Sequence, residues 1–218
     1  MNEFEKYMEE YKSLTEKTKN LLFITRDINL QKSTIKELDN LIDTTLRWKD
    51  YAIDEKDENM ANQQLAFEHI LKALQSELTM WVNLKENKMA MAWDNLVDAQ
   101  SYIRTAIQAH ELANSSEDYA QRLLNIEKLV FPPQTFNSPG YLVKQAKCSI
   151  CDKDYKNCNH IIGRPYMGEI CCRIVEEAEL LEISVVDVPA DKKARMEKIS
   201  DGKGNMIDLL TLKKLQEE

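Results

Sequence analysis

Between Phe4 and Trp48 apolar side chains return at intervals of three and four: Phe4, Met8, Tyr11 and Leu14, then Leu21, Ile24 and Ile28, then Ile35, Leu38, Ile42 and Leu46. Side chains so spaced share one face of a helix with 3.6 residues per turn. The rhythm breaks near "DINLQ", and Thr34 with Glu37 forms a capping-box pattern from which a second helix is expected to restart. "DEKDEN", residues 54–59, reads as a charged connector or an acidic helix start, where carboxylates oppose the positive end of the helix dipole. The strongest pattern follows in residues 60–110. Ile70, Leu74, Leu78 and Val82 lie four apart beside Phe67, Leu71 and Trp81, and Met89, Trp93, Leu96, Ile103 and Ile107 continue the stripe. No proline or glycine interrupts that span. In "ANSSEDYAQRLL", Ser115 or Ser116 precedes Glu117 and Asp118 and predicts one more helix start. The prolines of "FPPQTFNSPG" must stop that helix.

Amphipathic helices need partner faces, so residues 1–130 predict an antiparallel helical bundle or a long helical hairpin. Residues 131–140 read as a proline-containing linker. Past it the period changes. "LLEISVVDVPAD" alternates as a strand does and is stopped by Pro189, so residues 141–197 predict a small module with β-strands. In residues 198–218 a glycine-containing link precedes Met206, Leu209, Leu212 and Leu215, whose spacing predicts a short C-terminal helix. The expected fold class is mainly α, with the helical part followed by a small zinc-stapled α+β module.

Composition narrows the function classes. The 218 residues carry a formal charge of −8, concentrated in the helical part, and contain only 5 glycines and 5 prolines. An acidic chain is a poor general ligand for nucleic acid, where affinity rests on neutralised phosphates. Only residues 144–164 are slightly basic, through Lys144, Lys147, Lys153, Lys156 and Arg164. No apolar run is long enough to cross a bilayer, and "MNEFEKYMEE" lacks the pattern of a signal peptide, so a cytoplasmic location is expected.

The chemistry gathers in "KCSICDKDYKNCNHIIG", residues 147–163. All 5 cysteines fall between Cys148 and Cys172, and in a reducing compartment such a cluster points to metal or thiol chemistry before disulfides. Cys148 and Cys151 form a C-x2-C knuckle that lets two thiolates reach one ion. Cys158 and His160 follow as the second pair, giving a Cys3His set suited to Zn2+. The C-x-H gap is tight, which leaves Cys171 or Cys172 as the alternative fourth ligand. Gly163 and Gly168, bracketing "RPYM", predict a hairpin that returns Cys171 toward the knuckle. Four donors describe a closed structural site, and the deaminase pattern, Walker loop, dinucleotide fingerprint, H-E-x-x-H and nucleophile elbow are all absent from the sequence. His69 reads as a packed side chain and His110 as a complement to a helix end. No inward Glu-x-x-His pairs suggest a di-iron site.

The stretch "LEISVVDVPADKKARM", residues 181–196, resembles the C-terminal segment of phage prohead maturation proteases. The resemblance implies a shared strand-and-turn unit, or an origin in a phage or mobile element. The catalytic histidine and serine motifs of those proteases are not found here. The expected function is therefore a non-enzymatic interaction or scaffold protein, acting through a protein partner or self-association and without a membrane. The alternatives are a nucleic-acid-associated zinc module, and then a thiol hydrolase or divergent maturation protease.

Overall fold

The computed structural model describes residues 2–215. Five helices, α1 (Glu3–Lys19), α2 (Ile28–Asp54), α3 (Glu58–Lys85), α4 (Met89–Ala109) and α5 (Glu117–Val130), precede a set of antiparallel strand pairs. The strands are β1 (Phe136–Cys148), β2 (Pro165–Tyr166), β3 (Glu169–Ile170), β4 (Arg173–Val186), β5 (Lys198–Ser200) and β6 (Met206–Asp208). They form three two-stranded sheets, β1–β4, β2–β3 and β5–β6. The mainly α class with a small α+β part is as the residue pattern predicts.

α3 is the central helix. One of its faces packs Phe67, Leu71, Leu74 and Leu78 against Tyr7, Tyr11 and Leu14 of α1 and Leu38, Leu41 and Ile42 of α2. Another packs Leu65, Ala66, Ala73 and Met80 against Trp93, Leu96 and Ile103 of α4 and Leu123 and Ile126 of α5. Burial on two sides draws polar residues inward, and two buried carboxylates there are paired, as buried charges must be. Glu68 pairs with Lys49 and Lys72. Glu77, fully buried, accepts from Arg122 Nη1 at 2.7 Å and from Trp81 Nε1 at 3.0 Å.

Several helix boundaries differ from expectation. α2 starts at Ile28, capped by Asp27, whose carboxylate accepts from Asn29 N and Leu30 N. Thr34 is therefore buried inside α2 and starts nothing. Residues 60–110 form two helices. α3 ends in a left-handed Asn87 (φ 58°), with Lys88 N donating to Asn83 O and Asn87 N to Leu84 O. That reverse turn stops a helix through backbone bonds alone and needs neither proline nor glycine. Lys56 (φ 58°) closes α2 the same way, with Asp57 N on Ala52 O.

The expected linker at 131–140 is part of the fold. Phe131 and Phe136 are buried against Trp93, and β1 starts inside the segment. Further ties run from Trp93 Nε1 to Lys192 O at 3.0 Å and from Lys193 Nζ to Asp98 at 2.6 Å. The expected C-terminal helix is instead β6 and a turn. Asp208 Oδ1 accepts from Leu210 N and Thr211 N, Leu212 takes φ 55°, and only Leu210 of that stretch enters the core.

β1 and β4 form a long ribbon with three register irregularities. Phe136, paired with Val186, roots one end in the core, and Cys148, paired with Arg173, ends the other. The excursion between them carries the cysteine cluster.

Candidate metal centre

The knuckle is a tight turn at the end of β1. Asp152 N donates to Cys148 O at 3.0 Å, Cys148 N to Lys153 O at 2.9 Å, and Asp152 takes a left-handed φ of 56° that aspartate tolerates. Within the turn Ile150 N donates to Cys148 Sγ at 3.4 Å. Asp154 then caps the short 3-10 turn Tyr155–Asn157 by accepting from Lys156 N at 2.8 Å. That turn delivers Cys158, whose Sγ accepts from His160 N at 3.2 Å.

The ligand atoms of Cys148, Cys151, Cys158 and His160 all lie within 4.8 Å of one another, and among the described residues this is the one such cluster. His160 Nδ1 stands 3.6 Å from Cys148 Sγ and 3.2 Å from Cys158 Sγ, and Cys151 Sγ stands 3.6 Å from Cys158 Sγ. A tetrahedron with metal–sulfur arms of ~2.3 Å has edges of ~3.8 Å, and shorter ones where nitrogen replaces sulfur. These three separations are near the edges of such a tetrahedron, and the tight C-x-H gap leaves His160 Nδ1, the nitrogen nearer its own backbone, facing the sulfurs of Cys148 and Cys158. The Tyr166 ring meets the imidazole edge-on at 4.6 Å, and its hydroxyl accepts from Ile161 N at 3.0 Å, which holds the ring in place.

Cys171 comes back through the hairpin that the glycines predict. Met167 (φ 45°) and Gly168 (φ 80°) form the turn between β2 and β3, the two left-handed positions of a tight two-residue hairpin. Cys171 Sγ reaches 3.8 Å from Cys148 Sγ but is not a member of the mutually close set. Cys172 is exposed, and its N donates to Ser149 Oγ at 3.0 Å. The mutually close set among the described residues is thus Cys148, Cys151, Cys158 and His160.

The thiols are electrostatically unlike. Burial pushes the Cys148 thiol up, yet the backbone N–H groups of Ile150 and Cys151 and the neighbouring thiols overcome it, and its pKa falls to about 6. Burial and the Cys148 sulfur push Cys171 up to about 11, and burial leads the rise at Cys158. Cys148 is thus the most acidic of these three thiols, and the thiolate is the form that binds metal.

The remaining histidines are away from the cluster. His69 packs on Tyr102 with ring centres 5.5 Å apart. His110 Nδ1 accepts from Leu112 N at 3.2 Å while Nε2 faces Asn59 Oδ1 at 3.2 Å. That ring caps the following turn through Nδ1. A cavity of about 490 Å³ between α1, α3 and α5 is lined by Tyr11, Phe67, Leu74 and Tyr119. Its one buried-side cation, Arg122, is held by Glu77 and Leu22 O.

No family model, curated protein or solved structure matches the chain. Among the described residues no helix is long and apolar enough to cross a membrane.

Proposed function

We propose that the protein is a non-enzymatic, cytoplasmic interaction or scaffold protein in which one Zn2+ held by Cys148, Cys151, Cys158 and His160 staples the end of the β1–β4 ribbon. The observation that carries this reading is the tetrahedral spacing of three sulfurs and one nitrogen. Thiolate and imidazole donors favour zinc over oxygen-seeking cations. A set of four protein ligands leaves no open position for a reactive water, which assigns the ion a structural role. Zinc would fix the knuckle, the knuckle would fix the ribbon, and the ribbon and acidic helices would present surfaces for protein partners. Elemental mass spectrometry of natively purified protein tests this. One zinc per chain is expected, lost in Cys148→Ala and His160→Ala and kept in Cys171→Ala. Zinc-free protein, or zinc that departs with Cys171 alone, would overturn the assignment.

A nucleic-acid-associated module is the second reading. Lys144 and Lys147 are engaged by Glu177, Glu179, Asp152 and Glu176. Among the described residues Lys153, Lys156 and Arg164 around the knuckle have no carboxylate within 4.0 Å. It requires salt-sensitive binding that weakens when those three are neutralised.

A further inference from the structure

We propose that four of the cysteines form a site of oxidation by peroxides, closing as two disulfides, Cys151–Cys158 and Cys148–Cys171, while the proposed zinc leaves. The proposal rests on the zinc reading above and gives Cys171 a role that the zinc set does not. Cys171 is not one of the mutually close donors. Nor does it fill the core, since neither apolar cluster includes it. Within residues 149–172 the buried positions are Gly168 and Cys171 alone. Its sulfur nevertheless stands 3.8 Å from that of Cys148, and the two residues are 1% and 0% exposed. Backbone bonds put them there. Gly163 N donates to Cys171 O and Cys171 N to Arg164 O, each at 2.9 Å, and Ser149 N donates to Cys172 O at 3.0 Å. Gly168 N on Asn62 Oδ1 ties the same hairpin to α3. None of these bonds uses a sulfur, so the pair stays aligned without a metal.

The four sulfurs sort into two pairs of unlike access. Cys151 and Cys158 are half-buried with sulfurs 3.6 Å apart, whereas Cys148 and Cys171 are buried. A disulfide bond is ~2.05 Å long, so each pair closes by side-chain rotation. Exposure decides which sulfur a peroxide meets first, and that is Cys151 or Cys158. The thiolate takes one peroxide oxygen as a sulfenic acid, and the O–O bond breaks to release hydroxide. The neighbouring thiolate then displaces hydroxide from that sulfur and forms the S–S bond. The two sulfurs have given up two electrons, and both peroxide oxygens leave as hydroxide, which solvent protons convert to water. Of the four proposed ligands only Cys148 and His160 then remain, too few to hold a zinc. Cys148 reacts with a second peroxide in the same way. The Cys171 sulfur displaces hydroxide from it, and the Cys171 proton goes with that hydroxide as water. Without Cys171 the Cys148 sulfenic acid has no such partner and passes on to the sulfinic acid, which thiols do not reverse. The Cys148–Cys171 bond joins the end of β1 to the segment just ahead of β4, so the ribbon stays closed in the oxidised chain.

Hydrogen peroxide added to the full, natively purified chain tests the proposal. Zinc release is followed with a chromogenic chelator, and cysteine pairing by peptide mass spectrometry after the free thiols are alkylated. Both disulfides should appear in the map as zinc is released, and dithiothreitol followed by added zinc should restore the original content. Cys171→Ala should release its zinc alike but regain about fivefold less of it, with Cys148 found as sulfinic acid. Cys172→Ala, at an exposed position outside both pairs, should behave as the wild type. Circular dichroism before oxidation reports whether each variant is folded, and the wild-type map decides alone if Cys171→Ala is not. A wild-type map without the Cys148–Cys171 bond would overturn the proposal. Full recovery of zinc by folded Cys171→Ala would overturn it equally. Zinc content measured before the oxidant reports separately on the metal reading, and the map decides the pairing in a metal-free chain as well.

Discussion

Gly168 sits where three demands meet. Its φ of 80° suits glycine, its N–H donates to Asn62 Oδ1 at 2.8 Å, and a Cβ there would lie 3.2 Å from Lys49 Cγ and Cδ. Gly168→Ala should therefore cost about 1–2 kcal/mol, chiefly through the left-handed backbone, as a lowered midpoint in urea unfolding. His69 offers a pH handle. Burial lowers its pKa from 6.5 to about 4, and its Nδ1 has no hydrogen-bond partner. The unfolded chain then binds a proton between pH 6.5 and 4 that the folded chain does not, so its contribution is complete above pH 6.5 and lost as pH falls toward 4. Thermal melts should show that decline in the wild type and a flatter limb in His69→Phe. The decline that remains in His69→Phe below about pH 4.5 belongs to carboxylates such as Glu68, whose pKa is lowered by Lys49 and Lys72 against the effect of burial.

At the scale of elements, the helix ends show what a sequence conveys and what it hides. Apolar periodicity located the helices because each core-facing side leaves its own stripe, α3 carrying two. The charged run 54–59 marked the break at Lys56, but nothing marked the one at Asn87, since a left-handed closing residue need not be glycine when the backbone bonds on either side hold it. Lysine there carries a strain that glycine would not, so Lys56→Gly should stabilise the protein by about 1 kcal/mol, seen as a raised melting temperature. Glu77→Ala should do the opposite. It leaves Arg122 and Trp81 Nε1 without their shared acceptor inside the bundle and should cost about 3 kcal/mol or more in urea unfolding. The clustering of Cys148, Cys151, Cys158 and His160 was legible because thiol and imidazole spacing survives without tertiary knowledge. The ribbon was less so. Its three irregularities scramble the alternation that marks a strand, and only the Glu182–Val186 end keeps an unbroken register. The stretch from Met206 to Leu215 imitates a helix because its leucines recur every three residues, but Asp208 captures the local amides first and turns the chain.

At the scale of the whole molecule, the helices and the thiol cluster draw on different sources of stability. The two apolar clusters around α3 lie within the bundle and its immediate contacts, whereas the excursion from Ser149 to Cys172 has few large buried apolar residues. Chelation of the proposed metal should therefore leave far-ultraviolet helical signal nearly intact while hydrogen exchange accelerates in residues 141–185. Loss of the helical signal on chelation would contradict that division. The division also bears on how the chain reaches its native state. An ordinary hairpin begins at a tight turn that keeps its strands together, but β1 and β4 are separated by residues 149–172 and have no such turn. Bringing distant ends together is an entropic barrier that precedes any pairing gain. Cys148 and its co-ligands stand at the closed end of the ribbon, where a bound ion would do a turn's work. Refolding should then run in two stages, a fast one for the helices and a slower one whose rate rises with zinc concentration as the strands zip from Cys148 and Arg173 toward Phe136 and Val186.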